Sequence, residues 1–197
     1  MNTILIVDDD PAIREIFSIY LGMGGFRVLT ATGGMECLDL IRTETPDLIL
    51  LDMMMEPMDG WATLLAIRSG PAPRQTPVII ITGKQPSPEE ILQYGGLIDD
   101  YIVKPVDFKR ITDMFPHFIE KDRFLQREIA RITTGHQDGE FLGEYTCLLR
   151  FVRVTATLEK RFRNQIFTDP VIAKKQEERL LWLHKKLGFP DILLEHD

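Results

Sequence analysis

One set of polar residues shares a position directly after short apolar runs: Asp8, Asp9, Asp10, Asp52, Thr82 and Lys104. Clustered carboxylates repel one another and raise one another's pKa unless a cation shares the site. Carboxylate oxygens with open water positions suit Mg²⁺. A hydroxyl and an ammonium group beside such an ion can hold phosphoryl oxygens, and an aspartate can itself be the nucleophile. If these side chains converge, the chemistry they support is phosphoryl transfer.

Five apolar segments alternate with helical patterns and predict the elements that must position these groups. The predicted strands cover 4–7, 26–30, 48–51, 78–81 and 101–103. Asp10 and Pro11 predict the start of the first helix, and Ser87 begins the fourth. The alternation favours right-handed βαβ units, and hence an α/β, doubly wound, five-stranded parallel sheet of the flavodoxin-like type. Ligands bind at the carboxyl ends of such strands, so the polar residues should meet there.

Composition and charge exclude several classes of function. The 197 residues are 44% hydrophobic and 27% charged, with a formal charge of −7, which argues against disorder and against non-specific binding to nucleic acid or membranes. Residues 1–121 carry 10 basic and 18 acidic side chains, a net of −8, whereas 122–197 carry 13 and 12, a net of +1. Cys37 and Cys147 have no metal-site spacing, and no apolar run reaches the roughly 18 residues of a membrane helix. These features predict a cytoplasmic protein with reduced thiols.

Residues 1–121 resemble the receiver domain of response regulators in two-component signalling. The resemblance rests on the segments ILIVDDDPAIREI, LILLDMMM followed by PMDGW, VIIITG, and DYIVKP. The intervals of 30 residues from Asp52 to Thr82 and 22 from Thr82 to Lys104 also fit. The resemblance implies a CheY-like domain that accepts a phosphoryl group from a sensor histidine kinase. It implies no enzymatic activity beyond its own phosphorylation and dephosphorylation, and it predicts a domain boundary between 1–121 and 122–197.

The resemblance also implies a role for each residue at the metal and acceptor site. Asp52 is the phosphoacceptor. Asp9 is the direct Mg²⁺ ligand, and Asp8 acts through water. The backbone carbonyl of Met54 completes the metal site. Asp10 is better interpreted as a helix cap, because Pro11 follows it.

The remaining matched positions have roles in holding the phosphoryl group and in switching. Thr82 closes on the phosphoryl group, and Lys104 pairs with the acceptor carboxylate and then with phosphate oxygens. Tyr101 is the aromatic switch, which turns inward when Thr82 moves. Pro105 is expected to follow a cis peptide bond, as in many family members.

Two departures from the family pattern affect the acceptor loop. The usual D-x-x-M-P is replaced by Asp52-Met53-Met54-Met55-Glu56-Pro57, so proline is displaced by one residue. Met54 and Lys84 lie two residues after Asp52 and Thr82, at positions that in this family tune access of the hydrolytic water. Neither side chain is a carboxylate or amide that could orient water. We therefore predict slow self-dephosphorylation.

Phosphatases of the haloacid-dehalogenase type share part of the pattern, since they begin with D-x-D and use a downstream threonine and lysine. In that alternative Asp8 is the nucleophile, Asp10 the acid/base, and Asp99 with Asp100 the metal pair. That family places its acidic pair after the lysine, whereas here the pair precedes Lys104. The alternative also leaves Asp52 unexplained, so the receiver interpretation is favoured.

The remainder of the chain has helical periodicity throughout. A fifth receiver helix from 108 extends to about 132 as a stalk, with Pro116 expected to kink or restart it. After a turn at 133–139, a helix over 141–167 is predicted with one inward stripe, and a last helix runs from Asp169 to Gly188. The inward residues of the two helices are Leu142, Tyr145, Leu149, Val152 and Ala156, and Ile172, Leu180, Leu183 and Leu187. The prediction is an all-α helical hairpin.

A hairpin of about fifty residues has little core of its own and must pack on the stalk, the receiver or a second copy. A homodimer is therefore the leading interpretation of this extension. DNA binding is the alternative, based on Arg150, Arg153, Lys160, Arg161 and Arg163, although no short recognition helix is evident. A third alternative is docking to a downstream protein partner. The layout is similar to archaeal receivers with a helical extension, the haloarchaeal HalX type.

Overall fold

The computed structural model describes residues 1–70, 76–133, 139–162 and 166–189. Strands and helices alternate over the first hundred residues, as the hydrophobic pattern predicts. The strands are β1 (Thr3–Val7), β2 (Arg27–Ala31), β3 (Leu48–Leu51), β4 (Val78–Thr82) and β5 (Asp100–Val103). The helices are α1 (Pro11–Met23), α2 (Gly34–Thr43), α3 (Gly60–Ser69), α4 (Pro88–Tyr94), α5 (Phe108–Thr133), α6 (Gly139–Arg161) and α7 (Pro170–Leu187). A short 3₁₀ turn covers Gly95–Leu97.

The five strands form one sheet in the order β2-β1-β3-β4-β5. The pairs β1–β2, β1–β3 and β3–β4 are parallel. Every residue of β1, β3 and β4 is buried, as expected for strands covered on both faces. The predicted parallel five-stranded sheet with flanking helices is therefore confirmed. The strand order reverses beside β1, which makes the carboxyl ends of β1 and β3 the expected binding edge.

Local sequence signals determine where the helices begin. The Asp10 carboxylate accepts a hydrogen bond from the backbone of Ala12, and Pro11 is the first residue of α1. At α4, Ser87 and Glu90 form a reciprocal capping box. The caps predicted at Asp10 and Ser87 are confirmed, and predicted strand ends differ from the observed ones by about one residue.

The described residues form two compact units. The first comprises 1–85 and 101–120, and the second comprises 86–100 with the described residues from 121 onward. In the first unit, side chains from β1, β3 and β4 join α1 and the beginning of α5 in one apolar cluster. Segment 86–100 therefore belongs to the second unit. The domain boundary predicted at 121 stays a prediction.

The second unit has its own apolar cluster between α6 and α7. It includes seven of the predicted inward residues: Leu142, Tyr145, Leu149, Val152, Leu180, Leu183 and Leu187. The Tyr145 hydroxyl lies 3.0 Å from Nδ1 of His184, and the ring of Tyr145 stacks on Phe189. Arg179 donates two hydrogen bonds to Glu144, at 2.7 and 2.8 Å. Helix α7 ends at Gly188, which has φ 68°, a left-handed conformation that glycine adopts readily.

Several expectations for this part of the chain are wrong in detail. Helix α5 continues through Pro116, so of the kink or restart expected there the restart is wrong, and α6 ends at Arg161 rather than at 167. Ala156 is exposed, because the apolar surface of α6 is divided between two buried faces rather than one stripe. Ile172, near the start of α7, is also exposed. The predicted turn at 133–139 lies largely outside the described residues, as does Arg163. No helix in the described ranges combines the length and apolar character needed to cross a bilayer.

Candidate functional site

The two buried aspartates of the site are placed by neighbouring strands. Val7 of β1 is in register with Leu51 of β3, so Asp8 and Asp52 leave the sheet side by side. Asp8 is 4% exposed and Asp52 6% exposed, whereas Asp9 faces solvent. Carboxylate oxygens of all three residues lie within 4.8 Å of one another. The predicted convergence of these carboxylates is therefore present.

Lys104 follows β5 and reaches both buried carboxylates. Its Nζ lies 2.7 Å from Oδ2 of Asp8 and 3.5 Å from Oδ1 of Asp52. Burial raises the pKa of Asp8, and the negative charge of Asp52 raises it further, while the hydrogen bond and charge of Lys104 lower it. The Lys104 ammonium thus offsets only part of the effect of burial on Asp8.

The donor set fits a hard divalent cation. All three groups are carboxylates, and one of them is open to solvent, which leaves positions for water or phosphoryl oxygens. A dication would also favour the charged form of Asp8, whose pKa burial raises. Receiver domains typically bind Mg²⁺ at such an aspartate cluster, and the residues present here fit that ion.

Two further contacts, with Asp10 and Arg14, hold Asp8 in place. Its Oδ1 accepts a 3.0 Å hydrogen bond from the backbone of Asp10. Arg14 of α1 donates a 2.7 Å hydrogen bond to the Asp8 carbonyl. Arg14 lies one helical turn after Asp10, and that spacing is the signal that could have identified it. Asp99 and Asp100, the metal pair of the phosphatase alternative, instead pair with arginines of α6.

Thr82 and Tyr101 meet at the backbone of Lys84. Thr82 is fully buried, and its hydroxyl accepts a 3.4 Å hydrogen bond from the Lys84 N–H. Tyr101 is also fully buried, and its hydroxyl donates a 2.9 Å hydrogen bond to the Lys84 carbonyl. The proposed switch residues are therefore linked through one peptide segment. The Lys104–Pro105 peptide bond is cis, as the family resemblance implies.

The unusual acceptor loop closes tightly on Asp52. The Met54 backbone donates a 3.2 Å hydrogen bond to Oδ2 of Asp52, and the Met54 side chain is 66% exposed. The Glu56–Pro57 peptide bond is cis. The loop ends at Gly60, where a Cβ would overlap the Asp52 carbonyl oxygen. Only glycine permits this close approach, so the Gly60 position determines where the acceptor backbone lies.

Comparison with known proteins identifies the class to which this fold and site belong. The chain matches the response regulator receiver domain family over residues 4–115, and it belongs to that family. It therefore contains the receiver domain of a two-component response regulator, and this first part of the chain is CheY-like.

Curated relatives are named as transcriptional regulators. AfsQ1 of Streptomyces coelicolor is 37% identical over 195 residues, covering 95% of this chain and 82% of that protein. The DNA-binding regulator RpaA of Synechocystis is 32% identical over 144 residues, covering 73% of this chain and 57% of RpaA. CpxR of Escherichia coli K12 is 33% identical over 128 residues, or 65% of this chain and 53% of CpxR. The chain therefore spans little more than half the length of two of these three relatives.

Solved structures match the receiver portion. The N-terminal domain of a response regulator receiver protein from Methanoculleus marisnigri is 47% identical, with a TM-score of 0.52. That match covers 59% of this chain and 95% of the other. A CheY-like receiver domain protein from Methanospirillum hungatei is 27% identical, with a TM-score of 0.58. It covers 62% of this chain and 97% of the other.

Proposed function

We propose that this response regulator accepts a phosphoryl group from a sensor histidine kinase on Asp52. The observation that carries the proposal is the cluster of Asp8, Asp9 and Asp52 with Lys104 at the carboxyl edge of the sheet. A carboxylate oxygen of Asp52 attacks phosphorus, an acyl phosphate forms, and the bond from phosphorus to the donor nitrogen breaks. In this proposal the chain catalyses only the formation and the hydrolysis of its own acyl phosphate. It does not act on an external metabolite.

The neighbouring residues hold charge and geometry during the transfer. Asp8, Asp9, Asp52 and the Met54 carbonyl would hold Mg²⁺, which supplies charge neutralisation for the phosphoryl oxygens. Lys104 is positioned to pair with an oxygen of the transferred group, because its ammonium already lies between Asp8 and Asp52. In these assignments, positioning and electrostatic stabilisation accelerate the transfer, and no further covalent step is needed.

Thr82 and Tyr101 form the switch in this proposal. When the Thr82 hydroxyl moves toward the phosphoryl group, its hydrogen bond with the Lys84 backbone changes. The Tyr101 hydroxyl is hydrogen-bonded to the carbonyl of the same residue and responds to that change. Phosphorylation then shifts an equilibrium between two arrangements of this segment. Pro105 follows Lys104 directly, and the peptide bond between them is cis.

Phosphorylation by a small donor tests this assignment. Incubation with acetyl phosphate and Mg²⁺ should add the mass of one phosphoryl group, and peptide mass spectrometry should place it on Asp52. Asp52→Asn should abolish the labelling, whereas Asp59→Asn should retain it, because asparagine is also a good helix cap. Labelling that persists in Asp52→Asn, or that lies on Asp8, would contradict the proposal.

The output of the helical hairpin is proposed to be a homodimer. Arg150 and Arg161 of the basic run are ion-paired with Asp99 and Asp100, which leaves less positive charge for a DNA backbone. DNA binding remains the second candidate, supported by the similarity over 73% of the chain to RpaA, which is named as a DNA-binding regulator. Docking to a downstream protein and a HalX-type extension are further proposals, as is a cytoplasmic location.

Light scattering tests the homodimer against the other proposed outputs. With Mg²⁺ alone we expect the mass of a monomer, and with added beryllofluoride, a mimic of the phosphoryl group on aspartate, the mass of a dimer. Asp52→Asn should remain monomeric under both conditions. A wild-type monomer under both conditions would contradict the gated dimer and favour DNA or a different protein as the partner.

A further inference from the structure

Segment 86–100 belongs to the matched receiver sequence but packs with the helical extension. The family match covers 4–115, whereas the compact unit that contains α6 and α7 includes 86–100. This segment comprises α4, the 3₁₀ turn and the first residue of β5. The second buried face of α6 explains the grouping, because its apolar residues are buried apart from the α7 cluster: Phe151, Val154 and Leu158.

Two glycines of the 3₁₀ turn allow α6 to approach closely. A Cβ at Gly96 would overlap the Cys147 sulfur and lie 3.1 Å from the Cys147 carbonyl oxygen. A Cβ at Gly95 would lie 3.2 Å from the Phe151 ring. The α6 surface thus contacts the turn's backbone directly, so a side chain at Gly96 would require Cys147 to shift.

Two ion pairs flank this contact. Arg150 Nε lies 2.9 Å from Oδ1 of Asp99, with side chains only 11% and 13% exposed. Arg161 lies 3.4 Å from Asp100, at the start of β5. Because both side chains of the Arg150–Asp99 pair are nearly buried, removing either one would leave the other charge desolvated and without its partner. The docking of α6 therefore uses charge as well as shape.

The two ends of segment 86–100 adjoin the switch residues. Lys84 precedes the segment by two positions, and Tyr101 follows it directly. The hydrogen bond from the Tyr101 hydroxyl to the Lys84 carbonyl joins the chain at both ends of the segment. The segment that α6 contacts is therefore joined at both ends to residues of the proposed switch.

We infer that segment 86–100 is a dock for α6, and that phosphorylation of Asp52 strengthens this docking. The inference rests on the proposed function, in which inward Tyr101 accompanies phosphorylation. In the structure, a fully buried Tyr101 and a docked α6 occur together. Coupling between two such sites is reciprocal, so loosening the dock should also weaken binding of a phosphoryl mimic at Asp52.

Cys147 is a native reporter for the dock. It is one of two cysteines and is exposed at the edge of the contact, with its sulfur against Gly96, whereas Cys37 is fully buried. We expect beryllofluoride with Mg²⁺ to slow alkylation of Cys147 in the full chain by about fivefold or more, within the usual range of coupling between sites. An unchanged or faster rate would overturn the inference.

A second readout separates failure of the inference from failure of the proposed function. Fluorine NMR detects beryllofluoride bound to the protein, and this signal should disappear in Asp52→Asn. If the signal is absent from the wild type, the proposed function fails. If the signal is present while Cys147 reactivity does not change, Asp52 binds the phosphoryl mimic and the inference that phosphorylation strengthens α6 docking is wrong.

Variants on the two sides of the contact provide matched controls. Gly96→Ala should speed Cys147 alkylation and weaken beryllofluoride binding, because coupling between the two sites is reciprocal. Gly143→Ala changes the same helix α6, where a Cβ meets no atom within 4 Å, and should alter neither quantity. Asp99→Asn tests the dock without adding volume and should act in the same direction as Gly96→Ala. Wild-type behaviour in both Gly96→Ala and Asp99→Asn would contradict the inference.

Discussion

Lys104→Met should slow phosphoryl transfer to Asp52 by about a hundredfold, the usual cost of removing one preorganised charge from a transition state. The side chain keeps its length and loses the ammonium that lies 2.7 Å from Asp8 and 3.5 Å from Asp52. Mg²⁺ should bind roughly tenfold more tightly, because a competing cation for the same carboxylates is removed. Labelling by acetyl phosphate at saturating Mg²⁺ measures the first effect, and metal titration measures the second.

The pH dependence of Mg²⁺ binding adds a check on this interpretation. Lys104 lowers the pKa of Asp8 against the larger effect of burial, so its removal should raise that pKa further. Protons compete with the metal, so the loss of Mg²⁺ affinity on acidification should begin at higher pH in Lys104→Met. Lys109→Met, which removes an exposed lysine of α5, is the control and should match the wild type. Unchanged transfer rates in Lys104→Met at saturating Mg²⁺ would show that Lys104 does not contact the phosphoryl group.

The acyl phosphate on Asp52 should be long-lived in the isolated protein, with a half-life well beyond seconds. Met54 is 66% exposed next to the acceptor, and Lys84 is exposed two residues after Thr82. Neither side chain has a carboxylate or amide oxygen that could accept a hydrogen bond from the attacking water. Replacing them with polar acceptors, in Met54→Asn with Lys84→Glu, should accelerate hydrolysis by about tenfold or more, since orienting a nucleophile lowers the barrier.

Decay of the phosphorylated protein after removal of the donor measures this lifetime. Met54→Leu keeps an apolar side chain and is the control that should retain slow decay. A wild-type half-life of only a few seconds would refute the assignment of these two positions. A slow wild type that is not accelerated by the double substitution would place control of the water elsewhere in the loop.

The amino-acid pattern was sufficient to predict the sheet and the residues that meet at the site. Apolar runs that end in Asp8 and Asp52 determine neighbouring buried strands, because parallel strands covered on both faces need continuous apolar sequence. Caps such as Asp10 and Ser87 act within one helical turn, so their effect is visible locally. The 30- and 22-residue intervals between Asp52, Thr82 and Lys104 complete the family pattern.

Only the tertiary structure determined how the helical extension is used. The periodicity of α6 predicted one inward stripe, whereas the structure buries a second face that includes Phe151 and Leu158. Contacts between residues as distant as Arg150 and Asp99 have no local signature, because either charge alone is typical of a solvated surface. Gly96 likewise resembles a simple helix stop until the position of Cys147 is known. Sequence periodicity reports that a helix face is apolar, and only the folded chain determines what covers it.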